Sequence, residues 1–324
     1  MLPSLAGPSS EAAGNGLDVS VIVVTYQSEG FIGRCLRSIE EHAGAAHAGT
    51  TTTEIVVVDN GSSDGTLDEA RAGSATASLL PQGVNRGFAA ATNVGAAQAH
   101  GAYLLLLNPD AELLPDALPS LLAYLEKHPE AAAVGPRLIY PDGTPQDSAF
   151  TYPSLLMTWL EFFPRPGRLL HTRINGRLSS RDGRAISIVH PLGACMLIRR
   201  TAWDDVGPLD EGFFLYCEEV DWCVRARKRG WDIAHVPSAT AIHHEGRSAA
   251  TARSASLVRL YASRKRLHRK HRGWLFQGLA TFITTFGLTR ERSRLRRRRD
   301  EGHSAPIDTD ARIEGIERVL QRRP

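Results

Sequence analysis

The strongest constraint on the fold is an alternation near the start of the chain. Four short apolar runs, Val19–Tyr26 (VSVIVVTY), Glu54–Val58 (EIVVV), Leu79–Leu80 and Tyr103–Leu107 (YLLLL), are separated by three segments with helical character. The first of these puts Phe31, Cys35, Leu36 and Ile39 on one face; the others are Leu67–Ala72 and the Ala-rich Ala89–His100. Continuous β-branched or leucine runs suit strands buried on both faces. Strands that alternate with helices through short loops specify a parallel sheet covered by helices. Such sheets bind ligands at the carboxyl ends of their strands. The polar clusters Thr25–Tyr26, Asp59–Asn60 and Asn108–Glu112 fall at those ends.

Composition narrows the classes. The chain has 324 residues, 42% hydrophobic and 23% charged, close to the globular average, which excludes wholesale disorder, a collagen and a polytopic membrane protein. No GxGxxG follows the first strand and no GxxxxGK[ST] occurs, which argues against a dinucleotide-binding dehydrogenase and a P-loop NTPase. No G-x-S-x-G elbow is present, which argues against a serine hydrolase. The four cysteines form no CxxC pair and read as buried free thiols in a reducing compartment. Residues 1–17 are rich in Ala, Gly, Ser and Pro without a basic start or a long apolar run. They read as a flexible leader, not a signal peptide.

After residue 115 the pattern changes. Asp116 is expected to cap an amphipathic helix ending near Lys127. A strand is expected over Ala132–Tyr140, and an irregular Phe150–Arg184 segment of the kind that forms functional loops or lids. A strand is expected over His190–Arg199, a helix over Glu218–Arg229, and strands over Ile233–Pro237 and Ala241–Ser248.

Carboxylates at strand ends carry the chemistry. Alternate residues of an extended segment share a side, so Asp110 and Glu112 can converge on one hard cation that keeps sites for phosphate oxygens. Glu218, Glu219 and Asp221 open a helix, where acids also interact well with the dipole. His243 and His244 are either ligands or ordinary buried and surface histidines.

Taken in order, VSVIVVTYQSEGFIGRCLRSI, EIVVVDNGSSDGT, NRGFAAATNVG, YLLLLNPDAEL, GACMLIRR, GFFLYCEEVDWCVRARKRGW and HHEGRS resemble a family 2 glycosyltransferase of the GT-A type, in its rhamnosyltransferase-like branch. The resemblance covers 18–273. It implies an α/β GT-A fold, with a Rossmann-like nucleotide half (18–115) and an acceptor half (116–248) on a mixed central sheet, followed by a helical basic extension (249–324). It implies inverting transfer of a sugar from a nucleotide-sugar, first guess dTDP-rhamnose and second a UDP-sugar, to a glycan or lipid-linked acceptor in cell-surface polysaccharide synthesis, aided by Mg²⁺ or Mn²⁺. It assigns Thr25, Tyr26, Asp59, Asn60, Asn85, Arg86, Gly87, Asn93 and Asn108 to the nucleotide-sugar, and Asp110, Glu112 and His243 to the metal, with His244 as the alternative histidine. His243 begins the family's H-x-x-G-x-S pattern with Gly246 and Ser248. Glu219 takes the position of the general base, where the family has Asp, and Asp221 is second choice. Gly193, Ala194, Glu218 and Trp222 fall at the acceptor. A non-catalytic nucleotide-sugar-binding protein on the same fold is the alternative reading.

The formal net charge of +3 conceals a division. Between Arg264 and Arg299 stand thirteen Lys or Arg and one acid, which leaves 25 bases and 34 acids elsewhere. Within that segment lies Gly273–Thr289, 17 apolar residues broken by Thr, Gln and Gly. That is short for a span. Trp274, its phenylalanines and the basic flanks suit a helix lying in an anionic membrane interface; packing on the domain is the other reading. Nothing in the body of the chain supports nucleic-acid recognition. The expected location is the cytoplasm, peripheral to the inner face of the plasma membrane.

Overall fold

The computed structural model describes residues 18–42, 51–163, 172–180, 182–245, 250–301 and 306–321. The expected leader and the Gly246–Ser248 part of the histidine motif lie outside the described residues. The first half runs β1 (Val19–Thr25), α1 (Ile32–His42), β2 (Thr53–Asp59), α2 (Thr66–Gly73), β3 (Ser78–Pro81), α3 (Phe88–Gln98), β4 (Tyr103–Leu107), β5 (Ala111–Leu113) and α4 (Ala117–Lys127). The second runs β6 (Ala131–Ile139), β7 (Pro145–Gln146), β8 (Ala149–Phe150), α5 (Leu155–Phe162), β9 (Ile186–Ser187), β10 (His190–Pro191), β11 (Cys195–Arg199), α6 (Arg200–Val206), α7 (Glu218–Lys228) and β12 (Asp232–His243). The chain continues with α8 (Ala250–His271), α9 (Trp274–Asp300) and α10 (Pro306–Gln321).

The main sheet has the order β3-β2-β1-β4-β11-β6-β12-β5. Its first four strands are parallel. β11 then runs antiparallel between β4 and β6, so the sheet is mixed. In register, Thr25 lies beside Asp59 and Val23 beside Leu107. Three polar clusters are thereby brought to one edge.

Strand alternation divides the core. Val21, Val23, Leu105 and Leu107 face α1 and α4, whose Ile32, Leu36, Leu118 and Leu121 are fully enclosed. Ile22, Leu104 and Leu106 face the opposite layer, with Trp203 and Trp222. Each buried Leu or Ile contributes about 1.5–3 kcal/mol. The Ala-rich α3 lies close on the sheet: a Cβ at Gly95 would come within 2.6 Å of the Ile22 side chain.

Some expectations shift. The strand expected over His190–Arg199 is two, because the chain turns at Gly193–Ala194; β10 pairs with β8 in a separate ribbon. The strands expected at Ile233–Pro237 and Ala241–Ser248 join as β12, with a register slip between Val236 and Thr240 that accommodates Pro237. Asp116 stands at the start of α4 in a helical conformation and makes no capping bond with its side chain, since a cap needs extended backbone there. The irregular segment contains α5, capped by Ser154 Oγ accepting the Met157 N–H at 3.2 Å. All four cysteines are free thiols, and only Cys217 is partly exposed.

The three C-terminal helices pack with α5 around Phe162, Tyr261, Leu288 and Ile316. Along α9, Trp274, Leu275, Leu279, Phe282 and Phe286 are exposed. Among the described residues no helix is long and apolar enough to cross a membrane.

Candidate active site

At the carboxyl edge, Thr25 ends β1 with its Oγ1 buried and without a hydrogen-bond partner among the described residues. Beside it Asp59, 2% exposed, accepts the Ser62 N–H with its carboxylate, at 3.3 and 3.1 Å. Tyr26 is exposed next to them. Asn60 fastens this strand end to the segment before α3. Its Nδ2 donates to Asn85 Oδ1 and to the Gly87 carbonyl, both at 3.1 Å, and its Oδ1 accepts the Arg86 N–H at 2.9 Å. Arg86 lies 3.6 Å from Glu211. Asn93 points elsewhere: it binds both backbone groups of Leu209 at 3.0 Å, which ties α3 to the loop before α7.

Gly87 has φ +93, and a Cβ there would stand 2.5 Å from the Phe214 carbonyl oxygen, which already accepts the Phe88 N–H at 2.7 Å. Only glycine is at ease in that conformation. Gly87→Ala is expected to cost about 1–3 kcal/mol, read as a lower urea midpoint at unchanged slope.

The expected metal residues divide into two pairs. Asp110 lies in the turn after β4 rather than in extended strand, so the alternate-residue rule does not bring Glu112 to its side. His243 Nε2 faces Asp110 Oδ1 at 3.4 Å, whereas His244 Nε2 meets Glu112 Oε1 at 2.6 Å. The Nδ1 of His243 is 3.0 Å from Gln146 Oε1. With Nδ1–H donating to Gln146, Nε2 is the ring nitrogen that faces the Asp110 carboxylate. A cation between the two satisfies both. Among the described residues no three His, Cys, Asp or Glu side chains form a complete metal cage. Asp110 and His243 therefore fit a partly caged ion with positions left for phosphate oxygens.

Helix α7 begins after two left-handed residues, Tyr216 (φ 72) and Cys217 (φ 68). Glu218 is 5% exposed, and its Oε2 has no hydrogen-bond partner among the described residues. Burial, reinforced by Glu219, holds its carboxyl well above the usual range. Glu219 is half-buried. Burial pushes its carboxyl up to about 7, while its own and Val220's backbone N–H groups pull the other way. Two acids this close do not both ionise readily. A Cβ at Gly193 would lie 3.3 Å from the Glu219 carboxyl carbon. The next residue, Ala194, accepts the Asn108 N–H at 2.9 Å. The 193–194 loop thus touches both the Asn108–Asp110 turn, through Asn108, and the Glu219 side chain at the start of α7.

Two residues expected in the site have other surroundings. Trp222 is entirely buried, donates its indole N–H to the Gly207 carbonyl at 2.9 Å and stacks on Trp203; it seats α7 on α6 instead of meeting an acceptor. Asp221, also fully buried, accepts from Arg225 (2.9 Å), Lys270 (2.9 Å) and His271 (2.7 Å). Gln146, Glu211, Lys270 and His271 were not foreseen, since nothing local in the sequence marks a partner so distant in the chain. One signal was conformational. The non-glycine residues at positive φ among the described residues, Gln27, Tyr216, Cys217 and Glu245, each lie within three residues of a candidate site residue, as strained backbone does at functional sites.

Comparison with known proteins gives the family and the fold. The model of glycosyl transferase family 2 matches residues 20–207. A Mycobacterium tuberculosis protein named N-acetylglucosaminyl-diphospho-decaprenol L-rhamnosyltransferase is 32% identical over 272 residues, 78% of this chain and 85% of its own length. A Haloferax volcanii low-salt glycan biosynthesis hexosyltransferase is 26% identical, covering 70% of this chain and 67% of its own. In fold, the chain resembles a Pyrobaculum calidifontis mannosyltransferase solved in complex with GDP-Man and Mn²⁺, at TM-score 0.59 and 16% identity over 97% of this chain and 90% of the other. The fold is GT-A, and the chain belongs to glycosyl transferase family 2.

Proposed function

We propose that the chain is an inverting, metal-assisted glycosyltransferase that moves L-rhamnose from dTDP-rhamnose, with a UDP-sugar as the second donor to try, onto a hydroxyl of a lipid-linked or glycan acceptor in cell-surface polysaccharide synthesis. The observation that carries the chemistry is the facing pair Asp110 and His243, in a turn bonded through Asn108 to the 193–194 loop against which Glu219 lies. The mycobacterial relative's name supports the choice of sugar and of a lipid-linked acceptor.

Thr25, Tyr26 and Asp59 would receive the nucleoside, with the buried Thr25 hydroxyl gaining a partner. Arg86, held by Asn60 at its backbone, would exchange Glu211 for the diphosphate. Asp110 and His243 would hold Mg²⁺ or Mn²⁺, whose charge, when bound, offsets that growing on the departing diphosphate. Glu219 takes the acceptor hydroxyl proton as the acceptor oxygen bonds to the anomeric carbon and the bond to diphosphate breaks on the opposite face, so configuration inverts. The apolar stripe and basic flanks of α9 support attachment to an anionic membrane surface.

The test is a donor screen with purified protein, reading nucleotide diphosphate release with acceptor present. dTDP-rhamnose is expected to be turned over, to stop with a chelator and to resume with Mg²⁺ or Mn²⁺. Asp110→Ala is expected to lower the rate at least about 100-fold, the scale of losing one stabiliser of leaving-group charge. Undiminished release in the chelated enzyme would remove the metal from the proposal.

A further inference from the structure

A large cavity lies outside the strand-end site. It measures about 1200 Å³ and opens between α5, α8, α9 and α10. Seven Lys or Arg side chains line it, five from positions 264–270 of α8 together with Arg292 and Arg296 of α9, against two acids, Asp210 and Glu317. Arg264 pairs with Glu161, Arg266 and Lys270 with Asp210, and Arg296 with Glu317. Lys265, Arg269 and Arg292 have no ion pair among the described residues.

Two further atoms point to a missing acceptor. His268 Nε2 and Arg292 Nε, both from residues lining the cavity, are buried without a hydrogen-bond partner among the described residues. Such orphans are rare in folded proteins because buried N–H groups that lose water need a substitute. Burial and the neighbouring Arg264 and Arg272 bring His268 down to about 4, so at neutral pH the ring is neutral, and its Nε2–H tautomer donates one N–H there. Thr281, Thr284 and Thr285 add hydroxyls to the same wall, while Val258, Leu288, Val319 and Leu320 make the rest apolar.

The surroundings select among anions. The exposed α9 stripe, from Leu275 through Phe286, continues through Phe163, stacked on Phe286 at 5.8 Å, to the exposed Trp159 of α5. One helix therefore presents an apolar surface for acyl or isoprenoid chains on one side and a cationic, partly apolar cavity on another. A free inorganic anion would use only the charges.

We propose that this cavity is a second ligand site, which takes the phosphate-bearing head of a membrane lipid, with Lys265, Arg269, Arg292 and His268 as its donors. It is a binding site distinct from the transfer site, and it holds whether or not the sugar assignment does.

The experiment is titration of the full chain with a short-chain phosphatidic acid below its micelle concentration, and in parallel with inorganic diphosphate. The lipid is expected to bind at least about tenfold more tightly than diphosphate, and the Arg269→Gln/Arg292→Gln variant to lose at least about tenfold of that affinity, the scale of one lost charged hydrogen bond. Nucleotide binding at the strand ends, measured on the same preparation, should not change, which reports an intact fold. Lys265→Gln serves in place of the double variant if that variant does not fold. Unchanged lipid affinity in a folded variant overturns the site. Diphosphate binding as tightly as the lipid overturns the lipid as its occupant.

Discussion

Replacing Glu219 with Gln is expected to slow sugar transfer about 10²–10⁴-fold while leaving donor affinity and thermal stability close to those of the parent chain. The amide has the same shape and still fits against Gly193, where a Cβ would already lie 3.3 Å from the carboxyl carbon. It cannot accept the acceptor's proton. The pH profile gives an independent readout. Burial pushes the Glu219 carboxyl up to about 7, and only the ionised form is a base. Transfer by the parent enzyme should therefore rise through that region as pH increases, and the residual rate of Glu219→Gln should lose that limb. Glu218→Gln is the necessary companion. Burial and Glu219 hold the Glu218 carboxyl well above the usual range, so it is already neutral where Glu219 titrates, and the amide should leave both the limb and the transfer rate close to the parent's. A Glu219→Gln enzyme of full activity would mean that the proton leaves by another route.

The fold was legible where local signals agree with burial. Tyr103–Leu107 appears as a strand with the bounds its leucines suggest, and the three strand-end clusters share one edge because the apolar runs leave no other register for a buried parallel sheet. Legibility fails where a turn or a proline interrupts a ladder, as at Gly193–Ala194 and Pro237, because the residue types on both sides still read as continuous strand. In the site, the same reasoning brought Asp110 and Glu112 together by assuming extended backbone. The turn at Asp110 overrides that assumption and leaves Glu112 to His244. The histidine partner of Asp110 could be suggested by a motif, but its orientation depends on Gln146, in a strand of two residues that no periodicity reveals. The basic tail was read as a charge block. Its side chains facing the domain, Lys270 and His271, look the same in sequence as those facing water.

That last point makes Asp221 the sharpest contrast with Glu219, two residues away on the same helix. Asp221 is fully buried, and its two oxygens are divided among Arg225 of its own helix and Lys270 and His271 of α8. Removing one partner of a buried ionic cluster costs about 3–5 kcal/mol, because the charges left behind have already given up water. Here the lower end applies. Lys270 keeps Asp210 at 2.8 Å, and Arg225 keeps the Val206 and Pro208 carbonyls at 2.7 Å. Asp221→Ala is thus expected to lower the unfolding free energy by about 3 kcal/mol and to make α8 a preferred site of proteolysis. The pH dependence has a definite sign. Burial holds His271 below its ordinary value of 6.5, with Asp221 pulling the other way. The folded state prefers the neutral ring, so the stability it contributes is present above about 6.5 and is lost as pH falls below it. In Asp221→Ala that pull is gone, the ring resists protonation further, and acid should destabilise the variant more steeply. Transfer measured well below the variant's melting temperature should stay within about tenfold of the parent, since Asp221 holds the floor beneath Glu219 rather than touching the acceptor. The opposite pattern, lost transfer at undiminished stability, would make Asp221 the base and Glu219 its support.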